Sequence, residues 1–103
     1  MKEMQQKVGE FTAKYNLNSS PEIRYIDFIS EAGELGKEIL KSGGYGSAEA
    51  RRTDSLETEM GDALFSLLCL ANGLDISLEQ ALDRVLAKYE ARFSEKGDIG
   101  SGR

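Results

Sequence analysis

The stretch SEAGEL, residues 30–35, places Glu31 and Glu34 three residues apart in a pattern typical of a helix. A second pair of acids, Glu59 and Asp62, has the same spacing about one helix later. Residues at positions i and i+3 lie on the same side of a helix, so each pair points to one side. On two helices that face each other, the four carboxylates meet in one cleft and repel one another unless a cation lies among them. The sequence therefore predicts a Mg²⁺ site between two helices.

The ligand types in these four acids decide which metal is expected. Carboxylates offer only hard oxygen atoms, which favour Mg²⁺, with Mn²⁺ as the alternative, over zinc or copper. The chain has no histidine, which removes the usual zinc sites, histidine-containing triads and di-iron bundles. Asp27 and Glu38 extend the first pair into an acidic stripe along the same predicted helix. Like charges on one helix face destabilise it slightly, so the stripe indicates a positive partner nearby.

Two basic residues complement the acids. Lys88 and Arg92 lie one turn apart near the end of the last predicted helix, where they are candidates for binding phosphates. Each feature also has a simple structural explanation. A single Glu-x-x-Glu pair is common on solvated helix faces, and basic residues near a helix C-terminus interact favourably with the helix dipole. The two acid pairs and the basic pair together favour a metal site.

Composition sets the broad class of the protein. A chain of 103 residues with 40% apolar residues is expected to form one globular domain, over residues 1–93. The formal net charge of -5 argues against a nucleic acid polymer as a partner. No apolar run approaches the roughly 20 residues that span a membrane, and no signal peptide pattern is present, so we expect a cytoplasmic protein without membrane contact. Cys69 lies in an apolar run and is expected to be a buried, unreactive thiol.

The spacing of apolar residues predicts an all-α, four-helix-bundle-like domain. The predicted helices cover about residues 2–15, 21–41, 54–72 and 78–93. The last three helices have Ser20, Asp54 and Ser77 as their predicted N-caps. Gly73 is expected to close the third helix, and residues 94–103 are expected to form a disordered tail.

The third predicted helix is apolar on nearly every side. Its predicted core stripe comprises Leu56, Met60, Ala63, Leu64, Leu67, Ala71 and Leu74. Further apolar residues, Phe65, Leu68 and Cys69, lie on the opposite side. A helix that is apolar all round is buried on several sides, and a chain this small can achieve that by association. We therefore expect a homo-oligomer.

The order and spacing of these motifs resemble a known family. Glu31-x-x-Glu34 is followed by 24 residues, then by Glu59-x-x-Asp62, and later by Lys88-Tyr89-x-x-Arg92-Phe93. This pattern, over about residues 22–93, is similar to that of the MazG-type nucleoside triphosphate pyrophosphohydrolases. They belong to the all-α NTP pyrophosphatase superfamily, together with the dimeric dUTPases and the phosphoribosyl-ATP pyrophosphohydrolases.

The resemblance implies Mg²⁺-dependent hydrolysis of a nucleoside or deoxynucleoside triphosphate between its α and β phosphates. The products would be the monophosphate and pyrophosphate, and the cellular role would be house-cleaning of non-standard nucleotides. The four acids would bind metal, with the catalytic base among them, and Lys88 and Arg92 would bind phosphates. The resemblance also implies a homodimer or homotetramer in which helices of more than one subunit build each site.

Two positions depart from the family pattern. Ser30 replaces an acid that many members have directly before the first glutamate. Ser55 replaces a lysine that some members carry one turn before the third acid. Arg51 and Arg52 are the nearest candidates to supply the missing positive charge.

Two other functions remain open from the sequence. One is a non-catalytic helical interaction module whose acidic face meets a basic partner. Such a module would bind its partner in a strongly salt-dependent way, and Mg²⁺ would not raise its melting temperature. The other is a pyrophosphohydrolase of the same superfamily that acts on phosphoribosyl-ATP.

Overall fold

The computed structural model describes residues 1–96. Within that range it contains no strand and four α-helices: α1 (Lys2–Lys14), α2 (Pro21–Ser42), α3 (Asp54–Gly73) and α4 (Leu78–Lys96). A short 3-10 turn, Gly44–Gly46, follows α2. The predicted all-α class and the number of helices are confirmed. Helix α4 continues three residues past its predicted end at Phe93, so residues 94–96 are helical, and the rest of the expected tail lies outside the described residues.

Two of the predicted N-caps are confirmed by hydrogen bonds. The backbone N–H of Ile23 donates to Ser20 Oγ at 3.3 Å, and Pro21 follows as the first residue of α2. The backbone N–H of Gln80 donates to Ser77 Oγ at 3.2 Å at the start of α4. Each hydroxyl satisfies a backbone donor that has no partner within the helix.

The predicted N-cap of α3 was wrong by one residue. Thr53, in an extended conformation with φ -134° and ψ 163°, accepts a hydrogen bond from the backbone N–H of Leu56 at its Oγ1, at 3.0 Å. Asp54 is instead the first residue of the helix, where its negative charge favours the positive end of the helix dipole. The sequence offers threonine, aspartate and serine in a row at this point, and all three are good N-caps.

The chain reverses sharply where α3 ends. Asp75 has a positive φ of 56°, and the backbone N–H of Ile76 donates to the carbonyl oxygen of Ala71 at 2.9 Å. These features form a Schellman-type helix end, so Asp75 makes the turn and Gly73 is simply the last helical residue. We call residues 74–77 the elbow. Across it, the axes of α3 and α4 differ in direction by 99°.

Helix α3 is the centre of the domain because α1 and α2 both pack against it, α2 along the greater length. Buried residues of α3 form the core: Ala63, Ser66, Leu68, Cys69 and Ala71. The expected burial of Cys69 is confirmed, and that burial raises the pKa of its thiol. The predicted core stripe was partly wrong, since Met60 and Leu74 are half-exposed while Leu68 is buried. The reason is that α3 is covered on two sides rather than along one stripe.

Helix α4 leaves this three-helix layer and makes few contacts with it beyond its first turn. Three large apolar side chains of α4, Leu82, Leu86 and Phe93, are 51%, 54% and 57% exposed. We call these three residues the apolar face of α4. Within one chain, therefore, three helices pack together and the fourth presents unpaired apolar surface.

Among residues 1–96, no single helix is long and apolar enough to cross a membrane. Only α3 and α4 taken together, as a pair bent by 99°, have the necessary length and composition.

Candidate metal and phosphate site

The contact between α2 and α3 brings three of the four predicted metal ligands together. One carboxylate oxygen from each of Glu31, Glu59 and Asp62 lies within 4.8 Å of those from the other two. Glu31 comes from α2, whereas Glu59 and Asp62 come from successive turns of α3. Glu31 and Glu59 are half-buried, and Asp62 is exposed to solvent. We call these three residues the acidic cluster.

The electrostatics of the acidic cluster are unfavourable for the protein alone. Partial desolvation raises the pKa of Glu59, and the negative charges of four other acids, Asp62, Glu31, Glu34 and Glu38, raise it further. The ion pairs of the described residues join Arg52 to Glu57 and the amino group of Met1 to Glu79. Neither pair includes a residue of the acidic cluster, so the charges in it repel one another without compensation from a basic side chain.

Glu34 and Glu38 belong to the surroundings of the cluster. Both add negative charge that acts on Glu59, but neither carboxylate is among the three mutually close oxygens. Glu38 was not predicted as a site residue. The signal for it was present in the sequence, because Glu38 continues the acidic stripe of α2 one turn beyond Glu34.

The donor set of the cluster fits a divalent cation. Three carboxylate oxygens from two helices converge, and no sulfur or nitrogen ligand accompanies them. Hard oxygen donors of this kind suit Mg²⁺ or Mn²⁺. A cation would also remove the mutual repulsion that raises the pKa of Glu59. The structure thus brings together oxygen donors from three of the four predicted acids.

The predicted phosphate-binding residues are not brought to the acidic cluster within one chain. Lys88 and Arg92 lie on α4, which makes few contacts with α2 or α3. Lys88 Nζ lies 5.3 Å from the centroid of the Tyr89 ring. The Nη1 atom of Arg92 is enclosed and has no hydrogen-bond partner among residues 1–96. A guanidinium group can donate several hydrogen bonds to phosphate oxygens, but this nitrogen is closed off from solvent within one chain.

The two arginines before α3 lie at a different feature. Arg51 and Arg52 line a largely apolar cleft of about 500 Å³, together with Ile39, Leu56 and Met60. The guanidinium group of Arg52 pairs with the carboxylate of Glu57. Arg51 is exposed, and it forms no ion pair with any of the described residues. Of the two candidates for the missing lysine charge, Arg51 is the one that keeps its charge available.

The comparison with protein families settles the class of the chain. The fold is an all-helical domain with a carboxylate cluster between two helices, and the oxygen donors of that cluster suit a hard divalent cation. Residues 22–95 match the family described as the MazG nucleotide pyrophosphohydrolase domain. The chain belongs to this family, which confirms the resemblance drawn from the acid and basic motifs. The family is generally dependent on divalent metal ions.

Several known proteins are similar to the chain over most of its length. YpjD of Bacillus subtilis (strain 168), an uncharacterised protein, is 39% identical over 98 residues, which cover 93% of this chain and 88% of YpjD. The crystal structure of YPJD from Bacillus subtilis matches with a TM-score of 0.73 and 40% identity, covering 89% of this chain and 94% of that one. A Bacillus-conserved MazG protein, described as a nucleotide pyrophosphohydrolase, matches with a TM-score of 0.72 and 32% identity, covering 85% and 86%. These matches support pyrophosphatase activity on a nucleotide.

Proposed function

We propose that the protein hydrolyses a nucleoside or deoxynucleoside triphosphate to the monophosphate and pyrophosphate, with Mg²⁺ as its cofactor and Mn²⁺ as an alternative. The observation that carries the proposal is the convergence of Glu31, Glu59 and Asp62 across two helices, with their oxygens within 4.8 Å. Membership of the MazG family supplies the reaction class. House-cleaning of non-standard nucleotides is the cellular role that we propose.

In this proposal the three residues of the acidic cluster bind the metal, and Glu34, from the surroundings of the cluster, joins them as a fourth ligand. A bound divalent ion would neutralise the negative charge of the triphosphate. One carboxylate among Glu31, Glu34, Glu59 and Asp62 would accept a proton from the attacking water as general base. The partial burial of Glu31 and Glu59 strengthens the electrostatic interactions of both groups relative to bulk water.

Lys88 and Arg92 of a second copy of the chain would bind the phosphates of the substrate. Helix α4 stands away from the acidic cluster of its own chain, and its apolar face is about half exposed. A homodimer or homotetramer that covers this face would bury apolar surface and carry the two basic residues towards the cluster of a partner. The guanidinium group of Arg92 would then contact a phosphate oxygen.

The direct test measures pyrophosphate release from a panel of nucleotides with Mg²⁺ or Mn²⁺. The panel includes standard and modified triphosphates and phosphoribosyl-ATP. We expect Glu59→Gln and Asp62→Asn to lower the rate by about 100-fold or more, because each removes a charged metal ligand. Glu22→Gln, which changes an exposed acid at the start of α2, is the matched control and should keep the wild-type rate. Equal rates for all four proteins would exclude the assigned site.

A further inference from the structure

The side chain of Gln5 joins α1 to the elbow and to the start of α4. Gln5 Oε1 accepts a hydrogen bond from the backbone N–H of Leu78 at 2.8 Å. Gln5 Nε2 donates to the carbonyl oxygen of Ile76 at 2.8 Å and to Asn72 Oδ1 at 3.1 Å. Asn72 Nδ2 in turn donates to the backbone carbonyl of Gln5 at 3.0 Å. The two amide side chains thus link the first helix, the end of the third and the beginning of the fourth.

The chemistry of these groups leaves only one orientation for the Gln5 amide. The backbone N–H of Leu78 is a donor and needs the amide oxygen, whereas the carbonyl of Ile76 is an acceptor and needs the amide nitrogen. The N–H of Leu78 is also one of the first-turn donors that have no partner within a helix. Ser77 accepts from a later amide of the same turn, so Gln5 completes the cap of α4 from another helix.

The Gln5–Asn72 pair matters because little else holds α4. Beyond its first turn, α4 makes few contacts with the rest of the chain. Its direction therefore depends on the elbow and on the contacts of its first turn. These contacts include the hydrogen bond from Leu78 to Gln5 at 2.8 Å and the ion pair between Glu79 and the amino group of Met1 at 3.9 Å. Lys88 is ten residues beyond Leu78, or roughly 15 Å along a helix that rises about 1.5 Å per residue. Over that length, a change of about 20° at the elbow displaces Lys88 by roughly 5 Å.

We propose that Gln5, supported by Asn72, is a positioning residue that sets the direction of α4 and thereby the place of Lys88 and Arg92 in the phosphate-binding site. This inference rests on the proposed function, because it concerns how that site is assembled. Gln5 itself touches neither of the basic residues nor the acidic cluster. Its loss should weaken substrate binding and leave metal binding at the cluster unchanged.

The test compares Gln5→Ala and Gln5→Glu with Gln6→Ala. Gln5→Glu keeps the shape of the side chain but cannot donate to the carbonyl of Ile76, so it remains informative if the alanine variant folds poorly. Gln6 is the matched control, since it is the neighbouring glutamine and its side chain bonds only to Glu10 on the same helix, at 3.3 Å. Each variant is measured for KM and kcat, for Mn²⁺ binding in the absence of nucleotide, and for amide hydrogen exchange.

We expect both Gln5 variants to raise KM for the triphosphate about tenfold with kcat within about twofold of wild type, since binding of the phosphates is weakened in ground state and transition state alike. Exchange of the Leu78 amide should accelerate at least about tenfold in Gln5→Ala, whereas Gln5→Glu keeps an oxygen that accepts from this amide. Mn²⁺ affinity should not change in either variant. Gln6→Ala should match wild type in every measurement. A purely structural role would lower the melting temperature of the Gln5 variants while leaving KM unchanged, and that result would overturn the proposal.

The two proposals fail in different ways. A wild-type protein that releases no pyrophosphate from any nucleotide would overturn the proposed function and, with it, the role of Gln5 in phosphate binding. In an active wild type, unchanged KM in both Gln5 variants and unchanged exchange at Leu78 in Gln5→Ala would overturn only the positioning role.

Discussion

Glu31 of α2 and Glu59 of α3 bring carboxylate oxygens within 4.8 Å of each other across the contact between their helices. Such closeness of two anions is costly. Desolvation raises the pKa of Glu59, and the charges of Asp62 and Glu31 raise it further. A domain selected for stability alone would separate these groups or place a basic side chain between them. The unfavourable arrangement therefore supports the proposed metal site and does not contribute to the stability of the fold.

The first prediction concerns the stability of the metal-free protein. Glu59→Gln should raise the melting temperature at neutral pH in EDTA by a few degrees, because it removes one of the repelling charges. Since the pKa of Glu59 is higher in the folded chain than in the unfolded one, the free energy of unfolding falls as the pH rises through the interval between the two values. The gain from Glu59→Gln should therefore shrink as the pH falls, and it should vanish well below the ordinary glutamate pKa of about 4.3, where the carboxyl group is protonated in both states.

Thermal melts of both proteins from acid to neutral pH provide the measurement. Glu22→Gln serves as the control for loss of an acid outside the cluster. If the melting temperatures of wild type and Glu59→Gln differ by the same amount at every pH, repulsion at Glu59 is not the cause of the difference.

The second prediction concerns metal binding. Mg²⁺ at 100 times its dissociation constant should stabilise the wild-type protein by about 2.7 kcal/mol, through preferential binding to the folded state. Asp62→Asn should lose most of this gain, since it removes one charged ligand from the acidic cluster. Calorimetric melts with and without Mg²⁺ measure the effect. An equal melting temperature in both conditions would favour the alternative of an acidic interaction module.

The third prediction concerns sites shared between two chains. Asp62→Asn and Arg92→Ala should each be inactive or nearly so, but their mixture should recover activity after unfolding and refolding together. In a mixed dimer one site carries both changes and the other carries neither, so random pairing in equal amounts restores about a quarter of the wild-type sites. Pyrophosphate release from the refolded mixture measures the recovery. A mixture no more active than its components would mean that each site comes from a single chain.

The fourth prediction separates the two residues at the start of α3. Thr53→Ala should lower the free energy of unfolding by about 1 kcal/mol, since it removes the side chain that caps the helix. Asp54→Ala should cost less, about 0.3–1 kcal/mol, because it removes only a charge near the helix dipole. Urea unfolding of both variants gives the two values. A larger loss of stability for Asp54→Ala than for Thr53→Ala would indicate that Asp54, not Thr53, is the N-cap of α3.

Local sequence patterns were sufficient for much of this structure. Ser20 and Ser77 could be identified as caps because each is followed by a strongly periodic helix. The closeness of the Glu31, Glu59 and Asp62 carboxylates could be predicted from their spacing, once the two helices were assumed to face each other. Those predictions depend on periodicity and on charge, both of which are visible over a few turns of a helix.

Other features depend on contacts that are distant in sequence. The choice of Thr53 as N-cap required the direction in which the chain enters α3, and the burial of Leu68 required the position of α1 beside it. The direction of α4 depends on a hydrogen bond between Gln5 and Leu78, 73 residues apart. No periodicity encodes such a pair, so residue spacing could not predict the direction of α4, and only the family resemblance implied sites built from more than one subunit.

Cys69 provides a natural gauge of how often the domain opens. It is the single cysteine of the sequence, it is buried in the core, and its pKa is raised by that burial. Thiol reagents react with the exposed thiolate, so their rate of attack on the intact protein measures the population of molecules whose core is transiently accessible. Because the Cys69 thiol is buried, cysteines introduced on the surface can be labelled with dyes or spin probes while the native thiol stays unmodified.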